Sequence, residues 1–155
     1  MMRARFVLAT FAGAALLMGC AGWMQRSRMV DPPPGASGFR AYCAACHQYD
    51  GQGMGDAPPL DASSPWVAGP PERLIKIVLH GVKGRMEVAG RTYGREMPGF
   101  GQILSDAQIA SLLSYVRRQF AGLDEPVTPA AVGQVRAANQ ERTAYWSVDE
   151  LLAEP

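Results

Sequence analysis

The sequence predicts an all-α domain of short helices joined by long ordered loops, and three observations carry that reading. Ile109, Leu112, Leu113, Val116 and Phe120 form one helical stripe behind a Ser105/Gln108 capping pair. No stretch of useful length alternates apolar and polar residues as a half-buried strand would, and no internal repeat is present. Glycine (17) and proline (12) are abundant for 155 residues, and they gather in stretches near 50–64 and 82–101 that read as loops.

Taken in order, residues 1–19 read as a lipoprotein-type signal peptide. Arg3 and Arg5 supply a positive start, and Phe6 to Met18 form an uncharged apolar run. A bilayer span takes roughly 20 apolar residues, so this shorter run suits a cleaved leader. It ends Leu17-Met18-Gly19-Cys20, which resembles the bacterial lipobox and implies lipid on Cys20 and membrane anchoring of an exported, periplasmic protein. Residues 20–34 read as a Pro-rich linker closing on Pro32-Pro33-Pro34.

The folded domain is expected over 35–121. Phe39, Tyr42, Cys43 and Cys46 fall at helical spacing, so a short helix runs into the Cys46-His47 pair. A second helix is expected at about 70–80, opening at Pro70-Pro71-Glu72 and stopping at Gly81. The clearest helix is 105–120. A C-terminal helical extension, 122–155, holds a helix from Thr128-Pro129 to about Arg142 and a last short turn capped by Ser147 and Glu150. Loops this long argue against a compact domain unless they wrap something large and apolar.

Cys43-Ala44-Ala45-Cys46-His47 supplies that object, because C-x-x-C-H is the attachment motif for covalent haem. Its spacing places two thiols along one porphyrin edge and directs the following histidine at the iron. A thioredoxin-like pair would need a preceding strand, and a zinc site would need two more Cys or His ligands when only His80 remains. The cysteine count then closes: Cys20 carries lipid, Cys43 and Cys46 carry haem, and no odd thiol is left in an oxidising compartment.

Four residues are candidates for the second axial ligand: Met54, Met86, Met97 and His80. Met97 is favoured, because it sits in the turn-forming run Glu96-Met97-Pro98-Gly99 ahead of the last core helix. Met54 is too near His47 to cross to the other face, and Met86 reads equally well as an apolar edge residue. His80 ends a helix, where the dipole favours imidazole without a metal. Leu60, Leu74, Val78, Leu104, Leu112 and Leu113 are the expected apolar wall. Trp66, Tyr93 and Arg91 are candidate donors to the haem propionates, with simple packing as the alternative for the two aromatics.

Over about 35–120 the chain resembles class I monohaem cytochrome c. The carriers of the resemblance are Gly35, Phe39 and Cys43 spaced four apart, Leu112 and Tyr115 on the partner helix, and Pro58-Pro59-Leu60 after the haem motif. The resemblance implies that Pro58 accepts the histidine ring N–H through its carbonyl, and that Gly35 permits a close helix crossing. Trp66-Val67-Ala68-Gly69, the run Leu74 to Gly81, Gly90-Arg91-Thr92-Tyr93 and Met97-Pro98 look like bacterial cytochromes associated with dehydrogenases and terminal oxidases, and so does the tail with Val127-Thr128, Val135-Arg136 and Trp146. The lysine-rich face of mitochondrial-type carriers is absent, with only Lys76 and Lys83 present.

One haem c with histidine and methionine ligands implies a one-electron carrier of a periplasmic respiratory chain rather than an enzyme. Its expected partners are a dehydrogenase donor and an oxidase or cytochrome acceptor. The alternative is a fixed haem subunit of one such complex, with residues beyond 121 as an interface; a haem sensor would need an open iron site. Nucleic acid is excluded as a partner: the net charge is +1, and no basic run or basic face broken by aromatics occurs. Six cations and one acid between 73 and 95 form a mildly basic rim or a plain solvated surface.

Overall fold

A computed structural model describes residues 32–153. The signal peptide 1–19, Cys20 and the linker through residue 31 lie outside the described residues. From Pro32 onward the chain forms one compact unit. Among the described residues, no helix is long and apolar enough to cross a membrane.

Helices dominate. The helix expected to run into the haem motif is α1 (Ala36–Tyr42) followed at once by α2 (Ala44–His47), with backbone hydrogen bonds carried through Cys43. A short α3 (Pro65–Ala68) precedes α4 (Pro71–His80), whose prolines open it and whose end is set by Gly81. The longest helix among the described residues, α5 (Asp106–Ala121), begins at a complete capping box: Ser105 accepts from the Gln108 backbone while the Gln108 side chain reaches back to Ser105. The last helices are α6 (Pro129–Ala138), capped by Thr128, and α7 (Val148–Ala153), where Ser147 and Glu150 bond reciprocally. The helix expected to reach about Arg142 stops four residues earlier. The Asn139 amide bonds the Val135 carbonyl at 2.7 Å, giving the backbone an alternative to another turn.

The stretch 82–101, read as loop, holds most of the strands. These are β1 (Gly81–Lys83), β2 (Met86–Val88), β3 (Arg91–Tyr93) and β4 (Met97–Pro98), and β5 (Trp146–Ser147) follows near the C-terminus. The β2–β3 hairpin turns through Ala89 and Gly90, both with positive φ (49° and 72°), as a type I′ turn requires. In the second sheet, β1 lies between antiparallel β4 and parallel β5, so Val82 is in register with both Met97 and Trp146. Strands of two or three residues leave no alternation in sequence, which is why none was legible.

The packing centres on the crossing of α1 and α5. Gly35, at φ 88°, sits where a Cβ would lie 2.1 Å from the Ser111 carbonyl oxygen, so only glycine permits the approach. Phe39, 1% exposed, then packs with its ring tilted against Tyr115 and Phe120. Two apolar clusters result. One joins α1, α3, α4, α5 and α6; the other gathers Trp66, Ile77, Val82, Met86, Val88, Tyr93, Trp146, Val148 and Leu151 around the strands. Met97 packs against both.

Residues 122–153 belong to this core. Val132, Val135, Trp146, Val148 and Leu151 are all buried, and Arg142 lies 3.5 Å over the Trp146 ring with Lys76 beside it. These side chains face the extension's own domain, while Leu152 beside them is 56% exposed.

Candidate functional site

Between the two clusters lies an apolar cavity of about 300 Å³, large enough for a small-molecule ligand. Helices α1 and α2 bring Phe39, Cys43, Cys46 and His47 to its wall. The following loop contributes Ala57, Pro58 and Leu60. Leu74, Ile77 and Val78 of α4 and Leu112, Leu113 and Val116 of α5 supply the aliphatic sides, and Met86, Tyr93 and Met97 come from the strands.

His47 is 9% exposed, and its Nδ1 lies 3.0 Å from the Pro58 carbonyl oxygen. A carbonyl only accepts, so Nδ1 carries the proton and donates. Burial holds the ring below its ordinary pKa, with the Pro58 hydrogen bond partly offsetting that shift. The imidazole is therefore neutral, and Nε2 retains the lone pair a metal needs. Local structure sets this bond. Gly53 has φ 74° and approaches so closely that a Cβ would stand 2.3 Å from the Ala57 carbonyl and 2.9 Å from that of Pro58. Any larger residue would push the accepting carbonyl away.

The two thiols are unpaired; Cys43 is half-buried and Cys46 exposed. Burial pushes the Cys43 thiol up to about 12, and the neighbouring Cys46 adds to the shift. A dithiol redox pair needs the opposite, a nucleophile held below its ordinary pKa. Among the described residues no three His, Cys, Asp or Glu side chains gather as a structural metal site requires.

The four candidate partners of His47 separate cleanly. Met97 and Met86 line the cavity. Met54 is 55% exposed and takes a weak contact from the Gln48 amide. His80 lies off the cavity, at the end of α4, bonded to the Arg142 backbone.

Five of the six residues expected in the apolar wall are there; Leu104 is buried but belongs to the neighbouring core. Trp66 reaches the cavity, yet its indole N–H donates to the Glu87 carbonyl at 3.4 Å and braces the β2–β3 hairpin. Tyr93 lines the cavity with its ring under the Arg91 guanidinium. Arg91 itself does not border the cavity, and Arg95 does. Nothing in residue type or spacing separates Arg95 from its neighbouring cations, because that distinction comes from the irregular segment after β3.

An unpaired thiol pair, a neutral imidazole with one nitrogen engaged, a thioether and apolar walls with Tyr93 and Arg95 among them suit a covalent haem. They suit a hydrophilic substrate poorly.

Comparison with known proteins agrees with this geometry. The sequence profile of the cytochrome c family matches residues 34–119. The chain is 34% identical over 113 residues to cytochrome c-552 of Thermus thermophilus, covering 66% of this chain and 86% of that protein. It is 34% identical over 122 residues to the fructose dehydrogenase cytochrome subunit of Gluconobacter japonicus, covering 74% of this chain and 24% of that protein. It is 36% identical over 110 residues to the gluconate 2-dehydrogenase cytochrome c subunit of Pantoea cypripedii, covering 68% of this chain and 24% of that subunit. The match thus spans most of the small cytochrome and about a quarter of each dehydrogenase subunit.

Proposed function

This chain belongs to the cytochrome c family, whose members bind covalent haem c and transfer electrons, and from that premise we propose which residues hold the haem and what they let it do. Cys43 and Cys46 form the two thioether bonds. His47 would hold the iron through Nε2, and Met97 through its thioether. When bound, haem c supplies an iron that changes oxidation state by one electron. With His47 and Met97 both holding the iron, the chain would exclude substrate from it, and the thioether would favour the reduced state.

The observation that carries this reading is the His47 Nδ1–Pro58 carbonyl bond in a wall that also contains Met97. The bond fixes the imidazole tautomer and orientation. Met97 is preferred over Met86 because it packs against both apolar clusters, whereas Met86 belongs to one. Leu60, Leu112 and Leu113 keep water off the site, which favours the reduced state further. Tyr93 and Arg95 donate to the propionates, and Trp66 braces the wall.

In this reading the chain is a one-electron carrier that takes electrons from a dehydrogenase and passes them to an oxidase or a second cytochrome. Its leader 1–19 exports it, lipid on Cys20 tethers it to the membrane, and 20–34 stands the domain off the surface. The likeness to dehydrogenase cytochrome subunits supports a second reading, a fixed haem subunit of one complex. A spectroelectrochemical titration tests the shared core of both. A single one-electron wave, with no carbon monoxide adduct of the reduced protein, is expected. A carbon monoxide adduct formed in seconds would overturn the two-ligand assignment. A catalytic subunit that stays bound through purification would favour the fixed-subunit reading over the carrier.

A further inference from the structure

The family profile ends at residue 119, yet two residues well beyond it hold both sides of the Met97 loop. On the incoming side, Val82 of β1 pairs with Met97 in one direction and with Trp146 in the other. Trp146 is 4% exposed and flanked by the Arg142 and Lys76 cations. On the outgoing side, Phe100 and Gly101 donate their backbone N–H groups to Val78 and Leu79. Arg136 of α6 then takes three acceptors at once. Its Nη1 donates to the Gly101 carbonyl at 2.5 Å, its Nη2 to the Leu104 carbonyl at 3.0 Å, and its Nε to the Asp106 carboxylate at 2.8 Å. One planar guanidinium thereby ties the end of the loop to the first turn of α5.

We propose that Arg136 and Trp146 are positioning residues for the second axial ligand. The extension 122–153 acts as a strap that holds the Met97 loop against the haem cavity. The inference rests on the reading of Met97 as that ligand. The loop has a single two-residue strand, β4, and glycine at 94, 99 and 101, so its closed state draws on these outside contacts. Arg136 and Trp146 lie off the cavity wall, so they act through Met97.

Imidazole titration of the oxidised full-chain holoprotein tests this, because imidazole binds only the fraction of molecules whose thioether has left, and its apparent affinity reports that fraction. Losing charge-assisted bonds at Arg136 should raise the open fraction about tenfold. Arg136→Gln should therefore bind imidazole about tenfold more tightly, and Arg136→Lys should fall between it and the wild type. Ile75→Val, a fully buried truncation away from the cavity wall, should lower unfolding stability and leave the imidazole affinity within about twofold. If Arg136→Gln lowers stability while its imidazole affinity matches that of Ile75→Val, Arg136 is only structural and the inference fails. Met97→Ala separates the two layers. If that variant keeps the wild-type imidazole affinity, the ligand assignment itself is wrong.

Discussion

Replacing Gly35 with alanine puts a methyl group into the close contact between α1 and α5. The new Cβ would stand 2.1 Å from the Ser111 carbonyl oxygen and 2.8 Å from Tyr115 Cβ, where an ordinary contact begins at 3.4 Å. The nearest obstacle is backbone, so no rotamer change relieves it, and α1 must retreat from α5 by about 1 Å. Overpacking of this kind costs roughly 1–3 kcal/mol. Holding a non-glycine residue at φ 88° adds roughly 1–2 kcal/mol. The expected loss is therefore about 3–4 kcal/mol, a large share of a typical 5–15 kcal/mol stability. In guanidinium, at a slope of roughly 4 kcal/mol per M, the unfolding midpoint falls by about 1 M. Gly38 provides the contrast, one turn along the same helix. Its added Cβ meets only Leu112, at 3.6 Å, so Gly38→Ala should gain helix propensity and raise stability by about 0.5–1 kcal/mol. Both variants are followed by far-UV circular dichroism and haem absorbance. Shifts of the same sign and size would refute the crossing argument.

Arg117→Met should lower stability by about 2–4 kcal/mol, because Arg117 is 5% exposed and its Nη1 donates to the Val67 and Gly69 carbonyls at 2.9 and 2.8 Å. A thermal melt within about 2 °C of wild type would show those bonds to be dispensable. His80 should make stability sensitive to mild acid. Burial holds its imidazole below the ordinary 6.5, with the Arg142 backbone bond acting the other way. The folded chain thus resists protonation more than the unfolded chain does. The contribution is complete above about 6.5 and is lost as pH falls through the depressed folded value. Denaturant midpoints for His80→Gln should therefore decline less below that pH than those of the wild type, and parallel curves would contradict the assignment.

Much of the site was legible because its chemistry is local in sequence. The Cys43 to His47 motif and the Met97 loop announce themselves by residue type and spacing, the Pro58 carbonyl only through the resemblance to class I cytochromes, and α4 and α5 by caps and a single apolar stripe. What escaped the sequence is what depends on pairing at a distance. β1 and its partners have too few residues to alternate, and their hydrogen bonds use backbone groups common to every residue. Arg95 and Arg91 look alike until the fold takes the first, just past β3, to the cavity and sets the second, within β3, over Tyr93. The extension reads as a separate appendage because Trp146 and Val132 meet their partners only once β1 and α5 are in place.

The central claim is most directly tested by absorption spectra of the holoprotein, oxidised and reduced, for wild type, Met86→Ala and Met97→Ala. The account predicts sharp c-type bands on reduction, from a haem that stays with the denatured chain. It also predicts a weak long-wavelength sulfur-to-iron band in the oxidised wild type and Met86→Ala that is lost in Met97→Ala. A wild type that lacks this band and takes up carbon monoxide readily on reduction would contradict it, and would make an open haem site for sensing or catalysis the better account.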